Sequence, residues 1–359
     1  MKRVHFFPKG GRWLASSRYR VFYLADALIG LGRPATIYDP PRMLRRYLTQ
    51  NTGRPLSTFE LLSVRLRETV RNVRALASIP AGDLIFAQRS VYSRTFAAAL
   101  LARRYRRKLV FDIDDAVFEG QARLTTRMLC AAELVVVGSH ELDRFAVETG
   151  ARRVFLLPTS VPLEKYPLRS RLRAQPLTIG WMGTGPEHLE NIRLIREPLI
   201  ELAKRADFLF LFVGSLDDPA LLELLRSFAG VRMEVIPRLN WSDSVDVVAT
   251  LHRFDIGLMP LTDTPRHRAK CAFKAIESMA CGIPVVVSSI GENKHLVDDG
   301  IDGFLAATSD EWVEKLRSLL DNDESRLAMG LRARKKIEAR YDLAKNAAAF
   351  NTFLSRELG

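Results

Sequence analysis

Two lysines and a glutamate stand four and then three residues apart in Lys270-Cys-Ala-Phe-Lys274-Ala-Ile-Glu277-Ser-Met-Ala-Cys-Gly282-Ile-Pro284. That spacing predicts a helix with Lys270, Lys274 and Glu277 on one exposed stripe. Ala272, Phe273, Ile276, Met279 and Ala280 fall on the other, apolar stripe. Gly282 is the expected stop, and the valines after Pro284 read as a buried parallel strand. Ammonium groups near a helix N-terminus suit phosphate. A carboxylate one turn further on suits a vicinal diol. Diphosphate plus ribose is what a nucleotide-sugar presents. An ordinary amphipathic helix with a solvated charged face satisfies the same spacing.

Three further groups could do chemistry. Phe7-Pro-Lys-Gly10-Gly11 follows a strand-like run and leads through Ser16 and Ser17 to Arg18 and Arg20. Glycines let a backbone approach a ligand, and cations in a first helical turn oppose the macrodipole, which hints at an anion nearby. A plain strand-to-helix turn explains the same residues, and the pattern fits neither Walker A nor the dinucleotide fingerprint. Val110-Phe-Asp112-Ile-Asp114-Asp115 places three carboxylates at the end of a buried strand, the end where open α/β sheets bind ligands. Crowded carboxylates are costly unless something cationic meets them or they serve a loop. Gly180-Trp-Met-Gly183-Thr184-Gly185-Pro-Glu-His188 closes another strand, with His188 expected on an exposed helix. The histidines at 5, 140, 252, 267 and 295 show no metal spacing, and no metal ligand is assigned.

The segment around Glu277 resembles the donor-site signature of retaining glycosyltransferases of the GT-B fold, the large family-four group. There the pattern is Glu, seven residues, Glu, then Ala-x-Gly-x-Pro-Val-Val. Here it is met by Glu277, Ala280, Gly282, Pro284, Val285 and Val286, with Ala269 where the first Glu would fall. Phe254-Asp-Ile-Gly-Leu-Met-Pro-Leu-Thr-Asp263 and Gly300-Ile-Asp-Gly303 look like that family too. The resemblance implies an α/β GT-B fold: two Rossmann-like parallel-sheet domains facing across a cleft. It implies a retaining, metal-independent transfer from a nucleoside-diphosphate sugar to a hydroxyl of a glycan or lipid-linked acceptor, with no cofactor. Donor contacts would come from Gly10, Gly11, Arg18, Gly183, Thr184, Arg238, Lys270, Lys274 and Glu277. Asp114 and Asp115 would orient a hydroxyl, and Lys274 would neutralise the leaving phosphate. Arg238 and Trp241 would be candidates to flank the base. Other readings stay open. One is a GT-B epimerase or hydrolase. Another is a Mg²⁺-dependent phosphatase built on Asp112, Asp114 and Asp115. The third is a non-catalytic nucleotide-sugar-binding protein.

The chain has 359 residues, 47% of them hydrophobic, enough for two domains with cores. No apolar run is long enough to span a bilayer. Three cysteines without metal spacing, and a start that runs straight into a strand, lead to the expectation of a cytoplasmic protein. The net charge of +13 is unevenly placed. Residues 1–175 hold 31 Lys and Arg against 14 Asp and Glu, and the remainder 23 against 27. Arginines cluster at 42, 45 and 46, at 65, 67, 71 and 74, and from 103 to 107. Such a half should seek an anionic surface: acidic lipid on a membrane's inner face, nucleic acid or a phosphorylated acceptor. No nucleic-acid motif accompanies it.

Strand and helix patterns alternate throughout, as parallel α/β layering requires. Strands are expected at 3–7, 35–38, 84–87, 109–112, 134–137 and 154–157. After a Pro-rich stretch from 158 to 167 they resume at 178–182, 208–213, 232–236, 256–259, 285–287 and 303–306. That stretch predicts domains of 1–165 and 166–359, the last helix (about 343–356) crossing back onto the first. An amphipathic helix is expected over Thr58–Ala77, with Leu61, Leu62, Val64, Leu66, Val70 and Val73 among its apolar positions.

Overall fold

The computed structural model describes residues 1–39, 57–89, 94–103, 108–116, 118–169 and 176–359. The arginines at 42, 45, 46, 104, 106 and 107 lie outside the described residues. Contacts divide the chain into two compact units. The first comprises Met1–Ser160, Ala269–Cys271 and Leu343–Gly359, and the second Val161–Arg268 and Ala272–Asp342.

The first unit holds a six-stranded parallel sheet. Its strands are β1 (Val4–Phe7), β2 (Ala35–Ile37), β3 (Leu84–Gln88), β4 (Leu109–Ile113), β5 (Leu134–Val137) and β6 (Val154–Leu156). They run in the order β2-β1-β3-β4-β5-β6. β1, β3, β4 and β5 are buried along their whole length, which is why they read as unbroken apolar runs. The last helix, Leu343–Leu358, packs against this sheet. Leu343, Ala347, Phe350, Leu354 and Leu358 repeat at helical spacing and are all buried, with Phe350 against Phe86 and Phe155.

The second unit holds another six-stranded parallel sheet. Its strands are β7 (Leu177–Met182), β8 (Phe208–Val213), β9 (Met233–Ile236), β10 (Ile256–Met259), β11 (Val285–Ser288) and β12 (Phe304–Ala306). The order is β12-β11-β10-β7-β8-β9. Within the unit this is 3-2-1-4-5-6 read from β9, the doubly wound arrangement, with its switch point between β7 and β10. Trp181 stacks on Phe212 with centroids 4.6 Å apart, at the centre of a core that reaches Trp312 and Leu316. Every expected strand is present in these two sheets, displaced by at most a residue or two at its ends.

Candidate functional site

In the second unit, three segments converge at the carboxyl ends of β7 and β8. The Gly183-Thr184-Gly185 turn leaves β7, and Gly185 N–H donates to Gly214 O (2.8 Å). Gly214 has φ of +100°, and a Cβ there would lie 1.8 Å from Gly183 O, so only glycine fits. A Cβ on Gly183 would lie 2.5 Å from Lys274 Cε, so this glycine clears the path of the lysine. Thr184 immediately precedes the short 3₁₀ turn Gly185–His188. Lys274 lies 5.5 Å from the Trp181 ring centroid, with Nζ 3.1 Å from His188 Nε2.

His188 is buried, contrary to the exposed position expected for it, because the 3₁₀ turn swings its ring against Trp181. Its proton can be placed by following the hydrogen bonds. Thr262 N–H donates to Asn191 Oδ1 (2.8 Å), which leaves Asn191 Nδ2 to donate to His188 Nδ1 (2.9 Å). His267 agrees: its Nδ1 meets Thr262 O at 2.9 Å, and its Nε2 faces the same Asn191 Nδ2 at 3.3 Å. Nδ1 of His188 is therefore the acceptor, and the imidazole proton sits on Nε2, toward Lys274.

The helix carrying Lys274 begins later than its spacing suggests. It spans Phe273–Ala280, and Ala272 before it takes a left-handed φ of +51°. Lys270 is therefore not on the stripe with Lys274 and Glu277, and its tripeptide packs in the first unit. Glu277 is not exposed either. It is buried and accepts a hydrogen bond from Tyr166 Oη at 2.7 Å. Burial, and after it the charge of Glu277, push the neighbouring Cys281 thiol up to about 12, so this cysteine stays protonated. Arg238 lies beyond β9 in a half-exposed ion pair with Asp217, and Trp241 stands over Gly214.

In the first unit the carboxylates after β4 are matched by arginines. The first helix passes through a π turn at Arg18–Phe22 that turns both Arg18 and Arg20 inward. Arg20 binds the fully buried Asp112 through Nε (3.0 Å) and Nη2 (2.5 Å), and donates from Nη1 to Leu157 O (2.8 Å). Burial lifts the Asp112 carboxyl to about 6, against the pull of Arg20, so the pair is ionised at neutral pH. The anion that the first-turn cations hinted at is, for Arg20, this internal one. Arg18 donates to Arg12 O at 3.1 Å and lies over the Tyr19 ring. Arg89, at the end of β3, reaches both remaining acids: Nε is 2.6 Å from Asp114 Oδ1, and Nη1 is 2.9 Å from Asp115 Oδ2. Gly10 N–H donates to Ser17 Oγ (2.9 Å), which donates to Gln88 Oε1 (2.9 Å), while Gly11 continues the turn. The strap Ala269–Cys271 closes the group: Ser139 Oγ donates to Ala269 O (3.1 Å), and Cys271 Sγ to Asp114 O (3.1 Å).

Asp115 offers a pH test. Burial would raise its carboxyl, but Arg89 and then Lys270 overcome that and hold it at about 2, below the usual 3.8. A depressed carboxylate contributes stability that is complete above pH 4 and is lost as pH falls toward 2. Asp115→Asn should therefore lose about 2 kcal/mol less than the wild type between pH 4 and pH 2 in urea unfolding. Parallel pH curves for the two proteins would refute the ion-pair account.

Arg89 and Tyr166 were not singled out by sequence reasoning, and Arg20 and His188 were noticed without the partners they have here. Arg89 had a usable signal, since a cation at the carboxyl end of a buried strand sits where α/β sheets bind ligands.

A two-unit α/β protein with paired parallel sheets and polar groups gathered at strand carboxyl ends has the architecture of a GT-B glycosyltransferase. Residues 176–322 match the family model described as glycosyl transferases group 1. The chain is 27% identical over 228 residues, 58% of each chain, to a GDP-mannose-dependent monoacylated alpha-(1-6)-phosphatidylinositol monomannoside mannosyltransferase of Corynebacterium glutamicum. It is 36% identical over 90 residues to a D-inositol 3-phosphate glycosyltransferase of Thermobispora bispora, 24% of this chain and 21% of that one. The matched stretches span from 21% to 58% of these curated relatives' lengths. In fold it is similar to a sucrose-phosphate synthase from Thermosynechococcus elongatus (TM-score 0.71, 15% identity, 99% of both chains). It is also similar to Anabaena Alr3699/HepE in complex with UDP and glucose (TM-score 0.66, 18% identity, 99% of both chains).

Proposed function

We propose that this chain is a retaining glycosyltransferase that moves a sugar from a nucleoside-diphosphate sugar to a hydroxyl of a glycan or lipid-linked acceptor, without a metal. The second unit binds the donor and the basic first unit the acceptor. One observation carries the reading. The His188 Nε2–H and the Lys274 ammonium converge at 3.1 Å beside the Gly183-Thr184-Gly185 turn. An anion's oxygens can accept a hydrogen bond from each of these groups. A diphosphate supplies such oxygens, and Glu277 lies one turn further along the Lys274 helix for the ribose hydroxyls. The neighbour crystallised with UDP and glucose supports a nucleotide donor.

Mechanistically, the leaving phosphate takes the acceptor proton on the face from which the sugar departs, and Lys274 neutralises the charge that grows on it. Asp114 and Asp115, fixed by Arg89, orient a hydroxyl through the lone pairs the guanidinium leaves over. The phosphatase reading loses its nucleophile, because Asp112 is fully buried in its bidentate pair with Arg20.

A thermal-shift screen of UDP-, GDP-, ADP- and TDP-sugars tests the proposal. A true donor at about 100 times its Kd should stabilise by roughly 2.7 kcal/mol. No shift with any of them would reject a nucleotide-sugar donor. The ribose contact has its own test. Glu277→Gln should weaken nucleoside-diphosphate binding about tenfold while inorganic diphosphate binds as before, the share of one charge-assisted hydrogen bond. Equal losses for both ligands in calorimetry would move Glu277 away from the ribose.

A further inference from the structure

The helix Thr58–Ser78 exposes a line of apolar side chains. Its inward side carries Glu68 and Asn72, each 3% exposed, before the apolar Leu76. Its outward side carries Phe59, Leu62, Leu66 and Val70, at 80, 59, 66 and 40% exposure. These four are spaced three, four and four residues apart, so they form one stripe along about 17 Å of helix. Exposed Arg67 and Arg74 run along one edge of the stripe.

We propose that this face docks on an anionic lipid bilayer. The helix lies in the plane of the interface. Phe59, Leu62, Leu66 and Val70 enter the boundary between headgroups and acyl chains, and Arg67 and Arg74 bind lipid phosphates. Charge selects the occupant, because residues 1–175 carry 31 basic against 14 acidic residues. A second copy fits poorly. A two-fold contact would bring each copy's arginines toward the other's, and four side chains fall well short of the about 800 Å² per partner of a stable interface. No helix among the described residues is long and apolar enough to cross a membrane. The inference adds a surface to the proposed function and stands on this helix alone.

The test is flotation of the full chain with vesicles of phosphatidylcholine alone or mixed with phosphatidylglycerol, at low and high salt. The wild type should float with the mixed vesicles and retain part of that binding in high salt, since the apolar component is not screened. Leu62→Asp/Leu66→Asp should lower the partition about tenfold or more at both salts. Arg67→Glu/Arg74→Glu should lower it mainly at low salt. Phe59→Trp should show a fluorescence blue shift on mixed vesicles beyond that of the chain's four native tryptophans. All these side chains are exposed, so each variant should unfold at the wild-type urea midpoint. Nucleotide-sugar thermal shifts should also be unchanged, which separates this inference from the donor reading. Wild-type flotation by the Asp variant, or no flotation of the wild type, overturns it. A dimer in sedimentation that Leu62→Asp/Leu66→Asp dissolves overturns it in favour of a second copy.

Discussion

Arg20→Met should destabilise the first unit by about 3–5 kcal/mol, the cost of leaving one member of a buried ion pair alone. Both side chains are almost wholly buried, and Arg20 also donates to Leu157 O and Thr159 Oγ1, so methionine removes all of these hydrogen bonds at once. The stranded Asp112 carboxyl has no water to turn to and must take up a proton. Its pKa then rises further above about 6, and the penalty shrinks as pH falls from that higher value toward 6 and levels off below it. The double variant Arg20→Met/Asp112→Leu removes both charges and should recover most of the loss, since an apolar pair of similar volume can replace a buried salt bridge. Urea unfolding of the four proteins of the cycle, at pH 5 and pH 8, reads all of this. A single-variant cost under about 1 kcal/mol, or a double variant no better than the single, would mean that the pair is not the brace of the β4 carboxyl end.

The same pair shows what a linear sequence withholds. The strands were legible because parallel strands buried on both faces must be apolar throughout, and Leu134–Val137 or Phe208–Val213 can be little else. The carboxylates after β4 were legible as a place where something happens. Their partners were not, since Arg20 and Asp112 are 92 residues apart and meet only when the sheet forms. The start of the Lys274 helix was hidden for a local reason. Lys270 to Ala280 has helical periodicity, but Ala272 adopts a left-handed backbone that few residues other than glycine take up. The spacing argument for Lys274 and Glu277 holds within the helix and fails for Lys270. On the Thr58–Ser78 helix the period was right, but periodicity shows that two faces differ without saying which one is covered: Leu62, Leu66 and Val70 are exposed while Val73 packs on the core. His188 was misplaced for a related reason, as a 3₁₀ turn points its side chains at a period of three and carries the ring inward.

Lys274→Ala should slow glycosyl transfer by about 2–4 kcal/mol in kcat/KM, a loss of roughly thirtyfold to a thousandfold, if its charge meets the leaving diphosphate in a water-poor site. The stem of Lys274 is confined by Trp181 and by the space that Gly183 leaves open, so the ammonium is held in place before any ligand arrives. Preorganisation of this kind favours the state in which phosphate charge is greatest, so kcat should fall more than the affinity for the intact nucleotide-sugar. His188→Gln separates charge from geometry. It keeps a donor near Lys274 but loses the ring that Asn191 and Thr262 hold in register. It should therefore cost less than Lys274→Ala, and the two losses should not add, because both act on one oxygen cluster. A structural role for Lys274 alone would appear as lower unfolding stability with unchanged diphosphate affinity in calorimetry. That result, or wild-type turnover in both single variants, would remove Lys274 from the chemistry and leave the Gly183–Gly185 turn as a backbone cradle without its charge.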